Sequence, residues 1–143
     1  MQVRQISVFM ENRAGRLQEI TGVLADAKIN LRALSLADTS DFGILRLIVD
    51  RPDDAVKILR QEGFTIRENV VIACVIADDP GGLNSILNSL ARDGISIEYM
   101  YGFLGKHEHE AVMIIRVENV ERAIELLLED GFTLLKGEQI YAM

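Results

Sequence analysis

The spacing of apolar and polar positions changes period along the chain, and each change marks an element. Residues 5–10 alternate, with Ile6, Val8 and Met10 on one side and Gln5, Ser7 and Phe9 on the other, the period of a strand. Leu17, Ile20, Val23, Leu24 and Ala27 then recur at helical spacing and form one apolar stripe. Residues 29–36 alternate again, and the turn-rich residues 38–43 lead into 44–50, an apolar run that predicts a mostly buried strand. Arg51-Pro52-Asp53 opens a second helix, since proline suits the first helical position. Ala55, Val56, Ile58 and Leu59 give that helix an apolar face, and Gly63 ends it by tolerating positive φ. Residues 65–72 form a last strand that runs almost directly into 73–77, the start of another.

From there the pattern repeats. Glu11-Asn12-Arg13-Ala14-Gly15-Arg16-Leu17 is answered by Ala77-Asp78-Asp79-Pro80-Gly81-Gly82-Leu83 at an offset of 66. Ile20 falls on Ile86, Leu24 on Leu90 and Ile29 on Ile95; beyond a loop at 105–110 that is two residues longer, Ala55 falls on Ala123, Leu59 on Leu127 and Gly63 on Gly131. Leu83, Ile86, Leu87 and Leu90 line the helix, 95–101 and 111–118 read as strands, and Asn119 caps a helix carrying Val120, Ala123, Ile124 and Leu127. Residues 133–135 and 139–141 together supply the last strand, bent or interrupted at Gly137. Each copy is therefore βαββαβ. That order predicts an α+β fold of two ferredoxin-like domains, residues 1–72 and 73–143, each an antiparallel four-stranded sheet with two helices on one face.

Composition narrows the function. With 49% hydrophobic residues in 143, the chain has ample material for a core. Residues 1–72 carry ten Lys and Arg against ten Asp and Glu, whereas 73–143 carry five against twelve and hold the whole net charge of −7. An acidic chain without a basic stripe is poorly suited to nucleic acid, where phosphate neutralisation supplies most affinity. Small molecules and proteins are the expected partners. The single Cys74, in an apolar run, excludes an internal disulfide framework, fits a reducing compartment and is expected to be a buried, inert thiol. No apolar run is long enough to cross a bilayer and the first residues show no signal-peptide pattern, so a cytoplasmic location, without membrane contact, is expected.

The loop at 11–17 joins a strand end to a helix start with a glycine between them. The first helical turn leaves N–H donors unpaired, which suits an anionic group, and Gly15 allows close approach to the backbone. Arg13 and Arg16 add positive charge there, whereas Asp78 and Asp79 make the second loop anionic and better suited to an ammonium group or a cation. Asn12 and Asn30 each offer an acceptor and two donors, a match for both ends of an amino acid.

The pattern Asp/Asn-x-Pro-Gly-x-Leu after a first strand, then a helix, then Gly-Ile-Asn-Ile into a strand, resembles the ACT domain. Here it reads Asn12-Arg13-Ala14-Gly15-Arg16-Leu17 with Lys28-Ile29-Asn30-Leu31, and again Asp78-Asp79-Pro80-Gly81-Gly82-Leu83 with Gly94-Ile95-Ser96-Ile97. The resemblance covers essentially the whole chain and extends to small tandem ACT proteins that lack an attached enzyme. It implies binding of an amino acid or similar metabolite where paired domains meet, with occupancy passed to an enzyme or partner. The contacts it implies are Asn12, Ala14, Gly15, Leu17, Asn30 and Leu31 in the first copy, and Asp78, Pro80, Gly81, Leu83, Ser96 and Ile97 in the second. Ala14 stands where proline is usual; Ser96 and Asp78 replace the amide pair of the first copy, so the second site is expected to bind something else or nothing. Loops facing each other across a domain or dimer interface would hold opposite ends of one zwitterion, and Leu36 and Ala37 would help to read its side chain.

Other constellations carry less. Lys106-His107-Glu108-His109-Glu110 is expected to be a solvated turn rather than a metal site, and no metal or other cofactor is expected. No nucleophile triad, P-loop or dinucleotide fingerprint occurs, so the protein is read as non-enzymatic. An acylphosphatase-like enzyme would need an arginine-rich phosphate loop in a more convincing form. Tyr99, Tyr101 and Phe103 alternate along the second strand of copy two, as sheet packing or as a surface for pairing with another such unit. An open apolar strand edge invites pairing, which favours a homodimer. The expectation is a small regulatory protein that senses an amino acid; the alternative is an interaction subunit of a separate enzyme, with vestigial ligand loops.

Overall fold

The computed structural model describes residues 1–38, 40–104 and 109–143. In chain order the elements are β1 (Gln2–Glu11), α1 (Arg16–Asp26), β2 (Leu31–Asp38), β3 (Phe42–Val49), α2 (Pro52–Gln61), β4 (Thr65–Ala77), α3 (Gly82–Arg92), β5 (Ile97–Gly102), β6 (Glu110–Val117), α4 (Val120–Glu129), β7 (Thr133–Leu135) and α5 (Gly137–Ala142). They form two units: Arg4–Asn69 with Tyr141–Met143, called the first unit below, and Val70–Ile140 with Met1–Val3, called the second.

In the first unit the strands lie in the order β2-β3-β1-β4, with β3 antiparallel to both β1 and β2. In the second the order is β5-β6-β4-β7, again antiparallel. Both are the βαββαβ arrangement that the repeat predicts, and β4 serves as the last strand of one and the first strand of the other. Ile6, Val8 and Met10 pack with Leu45 and Leu47 of β3, Ile20 and Leu24 of α1, and Ala55 and Leu59 of α2. The second unit repeats this core with Ile72, Cys74 and Ile76, Ile115 and Val117, Ile86 and Leu90, and Ala123 and Leu127. Burial pushes the Cys74 thiol pKa up to about 12, as a core thiol requires. On the other side of β1, Gln5 and Ser7 are also buried. Their polarity is absorbed locally: Gln5 Nε2 donates to Ser7 Oγ at 3.1 Å, and Ser7 Oγ to Asn69 Oδ1 at 3.0 Å.

Helices α1 to α4 stop in one way. At the end of each, one residue enters the left-handed region: Lys28, Gly63, Gly94 and Gly131, with φ of 58°, 84°, 69° and 83°. The next residue, Ile29, Phe64, Ile95 or Phe132, returns its N–H to a carbonyl five positions back, on Leu24, Leu59, Leu90 or Leu127. That apolar residue then packs on the core, which is the Schellman arrangement.

One expectation fails. Residues 139–141 do not extend the last strand: β7 ends at Leu135 and α5 follows. The Lys136 carbonyl accepts from the N–H groups of Gln139 and Ile140, and Gln139 Oε1 accepts from the Lys136 N–H at 2.8 Å. This reciprocal closure forms a helical turn where Gly137 had signalled a bend or an interruption within a strand.

Candidate functional site

The two glycine-centred loops share one backbone geometry. Gly15 caps α1 with φ 83°, ψ −8°, and Gly81 caps α3 with φ 91°, ψ −8°; neither helix start has a side-chain cap. By contrast, α4 is closed in the ordinary way, Asn119 Oδ1 accepting from the Arg122 N–H at 3.1 Å. A side chain at Gly15 or Gly81 would be strained by its positive φ.

In the first unit the Asn12 N–H donates to the Asp41 carbonyl at 3.0 Å, which ties the loop to the start of β3. Asn12, Arg13, Ala14 and Gly15 are exposed, and Arg16 and Leu17 are half-buried. The two arginines are not free cations. Arg13 Nε reaches Glu11 at 3.2 Å, Arg16 Nη1 reaches Glu19 at 2.6 Å, and Glu19 also lies 3.7 Å from Arg13. Arg16 in addition stacks over Phe64, 4.6 Å from the ring centroid, with its buried Nε unbonded. A hollow of about 640 Å³ opens beside it, lined by Gly15, Arg16, Glu19, Gly22, Glu62 and Phe64 among others. Sequence reasoning missed Glu19 and Phe64; the three-residue spacing of Arg16 and Glu19 on a helix was the available signal for the former.

Asn30 and Leu31 stand at the other end of the unit. The Asn30 N–H donates to Asp50 Oδ1 at 3.0 Å, and the Asn30 carbonyl accepts from the Asp50 N–H at 3.1 Å. Since Asp41 and Asp50 flank the eight-residue β3, Asn12 and Asn30 lie about 25–30 Å apart at the strand rise of ~3.3 Å per residue. No single amino acid touches both within one unit. Leu36 and Ala37 are also divided, because neighbouring residues of a strand face opposite sides. Leu36 pairs with Leu45, a residue of the helix-side core, whereas Ala37 pairs with Ile44 and lines a hollow of about 200 Å³ with Phe9, Phe42 and Gly43.

The second loop is tied as the first is, where the Arg16 N–H also donates to the Arg13 carbonyl at 3.3 Å. The Asp78 N–H donates to the His109 carbonyl at 3.1 Å and the Gly82 N–H to the Asp79 carbonyl at 3.0 Å. A Cβ on Gly82 would lie 2.1 Å from the Ala77 carbonyl oxygen, so α3 starts directly over the end of β4. Asp78, Asp79, Pro80, Gly81 and Leu83 are exposed. Ser96, at the far end, lines a hollow of about 310 Å³ with Asp93, Gly94, Ile95, Glu118, Asn119 and Arg122; Ile97 follows it into β5. Within that hollow the Arg122 guanidinium grips Asp93 at 2.7 and 3.1 Å, and holds its carboxyl below the usual range. The run 106–110 lies mostly outside the described residues, His109 and Glu110 excepted. Among the described residues, no group of three or more His, Cys, Asp or Glu gathers as metal ligands would, and no helix is long and apolar enough to cross a membrane.

Among curated proteins, none matches this chain. Protein BT0572 from Bacteroides thetaiotaomicron has a crystal structure similar to this one, with 40% identity, a TM-score of 0.94, and coverage of 100% of this chain and 98% of that one. The ligand-free regulatory subunit of aspartate kinase from Thermus thermophilus shares the fold at 16% identity, with a TM-score of 0.63 over 90% of this chain and 92% of that one. The α and β subunits of an aspartokinase do so at 19% identity, with a TM-score of 0.60 over 90% of each chain. A family model described as an ACT domain pair matches residues 1–143, and the chain belongs to that family.

Proposed function

We propose that this ACT domain pair is a regulatory protein without catalysis of its own, which binds an amino acid and passes its occupancy to a partner or into its own assembly. The observation that carries the reading is the duplicated loop: two strand-to-helix junctions with the same left-handed glycine and no side-chain cap, at the positions where the family binds ligand. In the first unit the ligand contacts are Asn12, Arg13, Ala14, Gly15, Arg16 and Leu17 from the loop and Asn30 and Leu31 from the start of β2. Their separation within one unit favours a ligand held where the loop of one chain meets the β2 start of a second, as in a homodimer. Asp78, Asp79, Pro80, Gly81, Gly82 and Leu83 with Ser96 and Ile97 form the weaker counterpart, lacking the amide pair. The solved relatives named as aspartate kinase subunits make an enzyme of amino-acid metabolism the proposed partner. Signalling then follows from population shift, since a ligand enriches only the state that binds it better.

A thermal-shift screen across the proteinogenic amino acids tests this. A ligand present at a hundredfold excess over its Kd adds about 2.7 kcal/mol. For a chain of this size that is a rise in Tm of about 5–10 °C. A stereospecific rise with one or a few amino acids, reduced far more by Asn30→Ala than by Ser96→Ala, is expected. Silence across the panel would leave the interaction subunit as the function.

A further inference from the structure

Strands β2 and β5 start with the same irregularity. The pairing of β2 with β3 slips between Leu31 and Ala33, and that of β5 with β6 slips between Ile97 and Tyr99. Arg32 and Glu98, at equivalent places in the two repeats, are therefore bulged residues. A bulge leaves its residue outside the ladder and re-aims the side chain, so something else must hold it. In the second unit the holder comes from within the repeat. Arg116 of β6 donates Nε to Glu98 Oε2 at 3.1 Å and Nη1 to the Val70 carbonyl at 2.8 Å, joining the bulge to the first strand of that repeat.

The first unit has no such arginine, because Ile48 stands at the position of Arg116 and is fully buried. There Arg32 Nε donates to the Tyr141 carbonyl at 3.2 Å, and the Tyr141 hydroxyl accepts the Arg4 N–H at 2.8 Å. Arg4 is the counterpart of Val70. The same triangle of bulge, first strand and tether is thus closed in both units, by Arg116 in one and by Tyr141 in the other. We infer that Tyr141 is the tether of the first unit's β2, a positioning residue that fixes the bulge next to Asn30 and Leu31 and so sets the geometry of that half of the ligand site. The tether stands on these hydrogen bonds alone; its effect on ligand rests on the function proposed above.

Backbone hydrogen exchange on the whole chain separates the two statements. In a chain ended after Ile140, exchange at residues 31–34 is expected to rise about tenfold, and in Tyr141→Phe, which keeps the carbonyl acceptor, about threefold to fivefold, the range that one or two net hydrogen bonds span. The equivalent residues 97–100 should stay within about twofold of the parent, because Arg116 holds them. Arg32→Met should reproduce the loss at residues 31–34 and Arg32→Lys, which restores a donor, should recover most of it. If the shortened chain fails to fold, the Tyr141 and Arg32 variants decide alone. Unchanged exchange at 31–34, or an equal rise in both units, overturns the tether. Any amino acid that raises the parent's Tm should raise that of Arg32→Met less and that of Arg32→Lys nearly as much. An equal rise in all three, with exchange at 31–34 still faster in Arg32→Met, overturns the link to the ligand and leaves the tether. If no amino acid acts on the parent, the proposed function fails while the exchange result still decides the tether.

Discussion

Three single residues show how local geometry sets the sign of a substitution. Gly22 lies in the middle of α1 with open space where a Cβ would go, whereas a Cβ on Gly82 would meet the Ala77 carbonyl oxygen at 2.1 Å. Gly22→Ala is expected to stabilise by about 0.5–1 kcal/mol through helix propensity and a less flexible unfolded chain. Gly82→Ala is expected to cost about 1–3 kcal/mol, because α3 must lift off the end of β4. Urea midpoints that move in the same direction for both would refute this. Lys28 holds φ 58° at the position Gly94 fills in the second repeat. Lys28→Gly should therefore stabilise by about 0.5–1 kcal/mol, relief of left-handed strain outweighing the added chain entropy. Cys74, fully buried and with its pKa raised by desolvation, should resist thiol reagents at neutral pH until denaturant unfolds the chain. Labelling of the native protein at the rate of a free thiol would contradict that.

At the scale of elements, the endings at Gly63 and Gly131 were legible because a glycine closes each apolar stripe, whereas Lys28 and Gly94 end α1 and α3 in the same way without having been read so. The turn at α5 was not, since its closure depends on Gln139 reaching back to Lys136, a contact that a three-residue spacing permits without requiring. The site divides the same way. Sequence exposes the glycine loops, but the pairing of Arg13 and Arg16 with Glu11 and Glu19 needs the loop's actual path. The gap between Asn12 and Asn30 follows from the strand, helix and strand running alternately up and down, which a motif read as one string conceals. Helices α3 and α4 carry a further consequence. Asp130 accepts from Ser89 and Arg92, and Asp93 accepts from Arg122, so both carboxyls sit below their usual pKa, held chiefly by the Ser89 hydrogen bond in one case and the Arg122 guanidinium in the other. A depressed folded-state pKa gives stability that is present above the unfolded value, about 3.9, and lost as pH falls below it. Urea midpoints should fall on acidification through that range, and less steeply in Asp93→Asn and Asp130→Asn. Equal slopes in parent and variants would remove these pairs from the acid response.

At the scale of the whole molecule, the proposed ligand site makes a demand that one chain does not meet by itself. Asn12 is fixed to the start of β3 and Asn30 to its far end, so within a unit they stand several ligand lengths apart. If an amino acid is held by the loop of one chain and the β2 start of a second, a two-fold pair of chains has two such sites, each taking one asparagine from either partner. Chains carrying Asn12→Ala and chains carrying Asn30→Ala should then each bind poorly alone, every site lacking one amide. Mixed and allowed to exchange, they form hybrid pairs in which one site has lost both amides and the other has kept both. Random pairing makes half the pairs hybrid, so about one site in four should regain parental affinity. Calorimetric titration of the mixture would show that fraction as a tight phase absent from either variant. A mixture that binds only as the average of its components would mean that each ligand meets just one of the two asparagines, and the shared site would have to be abandoned.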